Sequence, residues 1–173
     1  HGHVLKRLSV TDVEKLIRDP YAVYAKNILG LRRLDPVGAE PDARHLGMAI
    51  HAAVELFKPD DSAAEAQAAA LLDRLERELS ERGFVAEMCS AYRARLTNAA
   101  HEFIAWTAAR RAAGLTPYME KKGVITVDGV TLTGIADRIE FAADGAAEIT
   151  DFKSGRPPSN AQMDSGLAPQ LLL

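Results

Sequence analysis

Apolar residues recur at helical spacing through most of the first 114 residues, and at strand spacing after that. Ser9-Val-Thr-Asp12 forms a capping-box-like start, with aspartate in place of the usual glutamate. Val13, Leu16 and Ile17 follow on one helix face. Pro20 interrupts this run and suits the first position of a second helix, which continues past Tyr21 and Tyr24 to Leu29 and stops at Gly30. Residues 31–43 contain two prolines, a glycine and mixed charges, and read as a loop. Helical pattern resumes at about Arg44. Gly47 and His51 lie four residues apart there and share a face, and a glycine at that place lets another backbone or a ligand come close. A turn at Pro59-Asp-Asp-Ser62, with Ser62 as N-cap, leads into an alanine-rich helix that runs to about Ser80. Its stripe is Leu71, Leu72, Leu75 and Leu79. Gly83 breaks the pattern. A long helix then extends from about Val85 to Ala113, with Met88, Tyr92, Leu96, Phe103, Ile104 and Trp106 as its apolar members.

From Pro117 the pattern alternates with period two. Tyr118–Val127, Val130–Ala143 and Ala146–Lys153 read as strands, with Asp128-Gly129 and Asp144-Gly145 as tight turns. Three consecutive strands with such turns make an antiparallel meander. Ile135, Asp137, Ile139 and Phe141 share one face of the second strand. Ile149, Asp151 and Lys153 share one face of the third. Arg138, Glu140, Glu148 and Thr150 take the opposite faces and are expected in solvent. Two carboxylates and a lysine therefore sit among apolar neighbours. Buried charges are costly and are normally paired or bound to metal. A structural Asp–Lys pair within the sheet is the competing reading. Gly155-Arg-Pro-Pro158 ends the sheet, Ser159 caps a short helical turn, and Pro169-Gln170 opens a final helix.

Size and composition narrow the class. The 173 residues are 47% hydrophobic and 26% charged, as in an ordinary globular domain. No apolar run is long enough for a transmembrane helix, and no signal peptide is apparent. The single cysteine, Cys89, excludes an internal disulfide and an all-cysteine zinc site. It reads as a small buried hydrophobe and fits a reducing cytoplasm. The chain starts at His1 and ends in Leu171-Leu172-Leu173, which reads as a fragment of a longer polypeptide. With a net charge of −3 there is no global basic signature of nucleic-acid binding. Any such contact is local, through residues such as Lys26, Arg32, Arg33, Arg44 and Arg156, each of which is otherwise a solvated surface cation.

Asp137, Asp151, Lys153 and the distant His51 form a chemically coherent set. Carboxylate oxygens are hard ligands that suit Mg²⁺ or Mn²⁺, and one imidazole is compatible with Mn²⁺. A metal so held lowers the pKa of a bound water and clamps a phosphate oxygen. A neighbouring lysine orients or deprotonates that water, or offsets charge on the phosphate. These are the parts of a phosphodiester hydrolase. A lone histidine on a helix face is otherwise a hydrogen-bonded core residue.

Asp137 followed by Asp151-Phe-Lys153 resembles the PD-(D/E)XK nuclease signature. Gly47-x-x-x-His51, Gly134-Ile-Ala-Asp-Arg-Ile139, Ile149-Thr-Asp-Phe-Lys-Ser-Gly155 and Gln170-Leu171, in that order, are similar to the RecB-type nuclease domain. Leu8-Ser-Val-Thr-Asp12, Pro20-Tyr-Ala-Val-Tyr24 and Leu29-Gly-Leu31 resemble the C-terminal nuclease module of AddB-type proteins. The resemblance covers nearly the whole chain.

It implies an α/β restriction-endonuclease-like core: a small mixed sheet with an antiparallel meander, flanked by helices, with a helical N-terminal half. The whole of 1–173 would be one nuclease domain, with 1–114 mainly helical, 115–155 the three-stranded sheet and active site, and 156–173 truncated C-terminal helices. His51, Asp137, Asp151 and the backbone carbonyl of Phe152 would be metal ligands. Lys153 would be the catalytic lysine, acting with Asp137 and Asp151. Gln170 would begin the DNA-contacting Gln-x-x-x-Tyr motif. Glu120 matches an acidic residue seen on the first strand in some relatives, in a register that Gly123 leaves open. The implied cofactor is Mg²⁺, replaceable by Mn²⁺. The implied substrate is DNA, in single strands, and the implied partner is an AddA-like motor subunit acting in double-strand break repair. Many AddB-type modules carry four cysteines for an iron–sulfur cluster. Here the first of those positions is Asp19 and only Cys89 is present, so no cluster is expected. Two other readings compete: an inactive nuclease-like module that binds DNA or a partner, and a helical interaction domain with an incidental sheet. The first predicts the loss of a motif residue, and none is lost. The second leaves the charges at Asp137, Asp151 and Lys153 unexplained.

Overall fold

The structure is a computed structural model that describes residues 5–32, 34, 38–155, 159 and 161. In chain order its elements are β1 (Arg7–Ser9), α1 (Val10–Arg18), α2 (Pro20–Asn27), α3 (Ala43–Glu55), α4 (Ala64–Glu81), α5 (Ala86–Ala112), β2 (Pro117–Val127), β3 (Val130–Phe141) and β4 (Ala147–Thr150). They make an α/β fold with a small mixed sheet, as expected. The chain divides into two compact units. One comprises His1–Val37, Glu120–Ala136 and Gly155–Leu173, the other Gly38–Met119 and Asp137–Ser154.

The first unit holds β1, α1 and α2 together with most of β2 and the first half of β3. Ser9 Oγ accepts from the Asp12 N–H at 3.1 Å, so Ser9 caps α1 as its sequence predicts. Pro20 opens α2, and Asp19 caps it by accepting from the Ala22 N–H. β1 escaped the sequence reading because it spans only three residues. It pairs in parallel with β3, Leu8 opposite Leu132. Asp128 and Gly129 take positive φ of 49° and 78°, the geometry that an Asp-Gly hairpin turn requires. Gly134 has a packing reason: a Cβ there would lie 3.2 Å from Val10 Cγ2 of α1. Asp12 is buried, and Lys26 reaches it with Nζ 2.8 Å from Oδ1. Lys26 is therefore a structural partner of an internal carboxylate as well as the exposed cation anticipated.

The second unit has the helical core. Leu71, Leu72, Leu75 and Leu79 of α4 are all buried, against Ala49 and Ala53 of α3, Ile104 of α5, Phe84 and Cys89. Each leucine so buried contributes about 1.5–3 kcal/mol in transfer terms. Cys89 sits in this core as expected, and its burial pushes the thiol pKa up. Ser62 does not cap α4. Its Oγ donates to Asp60 Oδ1 and the helix starts after Ala63 without a side-chain cap. Met88 also departs from its expected place and is 40% exposed.

β3 and β4 depart from their sequence pattern in which side chains they bury. Arg138 and Glu140 were expected in solvent, yet their side chains are 3% and 1% exposed. They pair at 2.6 Å, and Arg110 of α5 bonds Glu140 as well and reaches Glu148 at 2.6 Å. The Arg138 guanidinium lies 4.5 Å from the Trp106 ring centre. Ile135, Phe141 and Ile149, expected inside, are about half exposed. On β3 the face is inverted at Arg138 and Glu140, because α5 brings a cation and an aromatic ring to the polar side, whereas Glu148 of β4 is exposed as expected. β4 is also shorter than its pattern. It ends at Thr150, with Ile139 opposite Ile149, and Asp151–Lys153 lie beyond it.

These buried charges make two measurable contributions to stability. Glu140→Ala leaves two guanidinium groups without their shared carboxylate. It should lower stability by about 3–5 kcal/mol, read from urea unfolding at unchanged m; a loss under about 1 kcal/mol would show that the cluster is not structural. The second concerns pH. Burial acts to raise the Asp12 pKa, but hydrogen bonds from Lys26 and Ser9 and the Lys26 charge outweigh it, so the folded value is lowered. A depressed carboxylate stabilises the fold fully above its unfolded pKa, and that stability is lost as pH falls through the folded value. Lys26→Met should therefore reduce stability at neutral pH, and the deficit should shrink below about pH 4. A deficit independent of pH would refute the linkage.

Candidate metal centre

α3 begins where Asp42 accepts hydrogen bonds from the Arg44 and His45 N–H groups, a capping box completed by the Asp42 N–H donating to His45 Nδ1 at 3.2 Å. The His45 side chain and these N–H groups hold the exposed Asp42 carboxyl below its ordinary pKa. Ala49 and Ala53 face the core, which leaves His51 on the flank, its side chain 35% exposed. Gly47 explains what the glycine admits: a Cβ there would meet Ser154 Oγ at 3.2 Å. α3 thus lies closely against the segment that follows β4, one turn from His51.

Asp137 is half-buried on β3. Its Oδ2 lies 3.5 Å from His51 Nδ1 and accepts the Phe152 N–H at 2.7 Å. That bond has a local cause. Once β4 stops at Thr150, the Phe152 N–H has no ladder partner, and a buried donor must find one. The Phe152 ring fixes the peptide in place, packed edge-on against Phe103 and Trp106 with centroids 5.8 and 6.4 Å away. Asp151 and Lys153 flank this peptide. Their side chains pair directly, Nζ to Oδ2 at 2.6 Å, with Lys153 the more exposed of the two.

His51, Asp137 and the Phe152 backbone are therefore brought together from positions far apart in the chain. Asp151 and Lys153 stand beside them as an ion pair, formed past the end of β4 and not within the sheet, where the competing reading put it. Glu120 is exposed on β2, in the other unit, at a left-handed φ of 49° that is unusual for a strand residue. Gln170, Arg33 and Arg156 lie outside the described residues. Sequence reasoning missed the Phe152 N–H to Asp137 bond, although the early end of β4 made such a partner necessary.

The donor chemistry fits a hard divalent ion. Neighbouring ligands on an octahedral ion at about 2.1 Å lie about 3 Å apart, close to the observed spacing of His51 Nδ1 and Asp137 Oδ2. The Phe152 N–H occupies one side of Asp137, so that carboxylate is oriented without being neutralised.

The PD-(D/E)XK nuclease superfamily matches residues 7–173. The chain belongs to this superfamily. Its membership points to a nuclease, and nucleases of this kind typically use divalent metal ions. Curated relatives of this PD-(D/E)XK chain include an uncharacterized protein of Rickettsia bellii, 34% identical over 172 residues, which covers 96% of this chain and 21% of that protein. Uncharacterized proteins of Rickettsia typhi and Rickettsia felis are each 32% identical, over 96% and 100% of this chain and 20% and 22% of their own lengths. The chain thus spans about one fifth of the length of these relatives. No helix among the described residues is long and apolar enough to cross a membrane.

Asp137→Asn keeps an acceptor for the Phe152 N–H but removes the ligand charge. Mn²⁺ affinity, measured by calorimetry, should fall by about 10–100-fold or more, with the thermal midpoint within a few degrees of the parent. Unchanged Mn²⁺ affinity would exclude Asp137 as a ligand.

Proposed function

We propose that this chain is the RecB-type nuclease module of a helicase–nuclease, most like the AddB module, and that it hydrolyses phosphodiester bonds in DNA as an exonuclease during double-strand break repair. The observation that carries the reading is the contact of His51 with Asp137 and of Asp137 with the Phe152 peptide, beside Asp151 and Lys153. Superfamily membership supports it, and so does the retention of every motif residue within the matched stretch. In this reading His51, Asp137, Asp151 and the Phe152 carbonyl hold Mg²⁺, for which Mn²⁺ can substitute. When bound, the ion supplies a water of lowered pKa and a clamp on a phosphate oxygen. Asp137 holds its ligand geometry through the Phe152 N–H. Lys153, poised by Asp151, orients the attacking water or offsets charge on the scissile phosphate. Gln170 contacts the DNA. Single strands reach the site from an AddA-like motor subunit, which raises their local concentration as a tether does. The setting is the cytoplasm.

The test uses the full polypeptide with its partner. Asp151→Ala should abolish Mg²⁺-dependent cleavage of single-stranded DNA while the protein stays folded. Lys153→Ala should retain Mn²⁺ binding and lose turnover, since lysine is not a ligand. Cleavage that survives Asp151→Ala would remove the assignment.

A further inference from the structure

A cleft of about 450 Å³ opens between the C-terminal end of α3 and one face of α4, lined in part by Leu56, Lys58, Asp60, Gln67, Arg74 and Arg77. Lys58 follows the α3 C-cap Leu56, and Arg74 and Arg77 are three apart on α4, so both arginines share a helix face. Several other cations of this unit are neutralised: Arg82 by Glu78, Arg93 by Asp73 and Glu76, Arg110 by Glu140 and Glu148, and Arg111 by Asp61. Lys58, Arg74 and Arg77 have no carboxylate partner among the described residues. The one carboxylate of the lining, Asp60, is already engaged by the Ser62 N–H and hydroxyl at 2.9 and 2.5 Å. Gln67 braces the same loop, its amide donating to the Asp60 and Ser62 carbonyls at 3.1 and 2.8 Å. Three cations against one carboxylate leave the cleft positive, although acids outnumber bases in the chain. The end of the α3 dipole is negative here, so the cations also outweigh an unfavourable field. Such a cluster repels itself unless an anion joins it.

We infer that this cleft holds the phosphodiester backbone of a nucleic-acid strand. The nuclease reading supplies the class of ligand, and the charge of the cleft supplies its place. Arg74 and Arg77 are separated by about 4.5 Å along α4, and His51 and Leu56 by about 7.5 Å along α3. The cleft therefore starts about two helical turns at most from the candidate metal centre, on the same helix. A basic groove that tracks the backbone without reading bases is the usual design for single strands. Lys58, Arg74 and Arg77 would bind and position the strand; none is a catalytic residue.

The test is equilibrium binding of a labelled oligothymidylate to the full polypeptide across a sodium chloride series without divalent ions. Lys58→Gln, Arg74→Gln and Arg77→Gln together are compared with Lys15→Gln, Arg95→Gln and Lys122→Gln, which change the net charge equally at exposed positions elsewhere. The cleft variant should lose about tenfold or more in affinity, and its slope of log affinity against log salt should become shallower by about 2, at about 0.7 per phosphate released. The control set should stay within about twofold, as a pure net-charge effect would not. If the triple variant does not fold, Arg77→Gln alone should shift the slope by about 0.7. Equal losses in the cleft and control sets, or no loss in either, would overturn the inference. Inorganic phosphate and thymidine monophosphate form a second arm. Tight binding of either that depends on the cleft, with strand binding untouched, would assign the cleft to a small phosphate ligand and overturn the strand. Failure here leaves Asp151-dependent cleavage intact, whereas failure of the nuclease reading shows as cleavage that persists without Asp151.

Discussion

The second unit depends on one buried carboxylate. Glu140 is shared by Arg138 beside it on β3 and Arg110 on α5, and Trp106 covers the Arg138 guanidinium. Side chains on a strand alternate, so burying Arg138 and Glu140 against α5 sends Asp137, Ile139 and Phe141 to the other face. That face carries the candidate metal ligand. A one-residue slip of β3 would bury Asp137 and expose Glu140, and would remove the site and the charge cluster together. Partial loss is costly for the same reason. A buried ion cluster is tolerable only when every member is satisfied, and removing one strands the others.

Around Asp137 the architecture supplies orientation more than charge. The carboxylate is held by a backbone N–H that β4 leaves unpaired, and that peptide is pinned by an aromatic contact with α5. His51 approaches from α3, whose glycine lets the helix lie close to Ser154. Three separate pieces of chain thus meet at one carboxylate. Such support is what a metal ligand needs, since its bonds tolerate little angular error. The short Asp151–Lys153 pair adds a cation whose charge is balanced until a phosphate competes for it. The same logic applies to Lys58, Arg74 and Arg77, which have no carboxylate partner among the described residues.

Much of this was legible in the chain. The leucine stripe of α4, Pro20 at the start of α2, the glycine after α5 and the two Asp-Gly turns are local signals, decided within a few residues, and each appears where its pattern places it. The motif residues His51, Asp137, Asp151 and Lys153 were equally visible, because their types and spacing carry the chemistry. β1 was not, since three residues have no period to detect, and its pairing with β3 spans more than a hundred positions.

What the sequence determined is the longer elements, their tight turns and the identity of the reactive groups, all properties of short stretches. Which face of β3 is inside was decided by tertiary structure, because period two fixes only the alternation, and Arg110 and Trp106 come from a helix that no strand pattern can foresee. The same holds for Lys26, a surface cation by its surroundings in sequence and the partner of buried Asp12 in the fold. Pairing between distant charges depends on which carboxylates are withdrawn from water, and only the packed chain determines that.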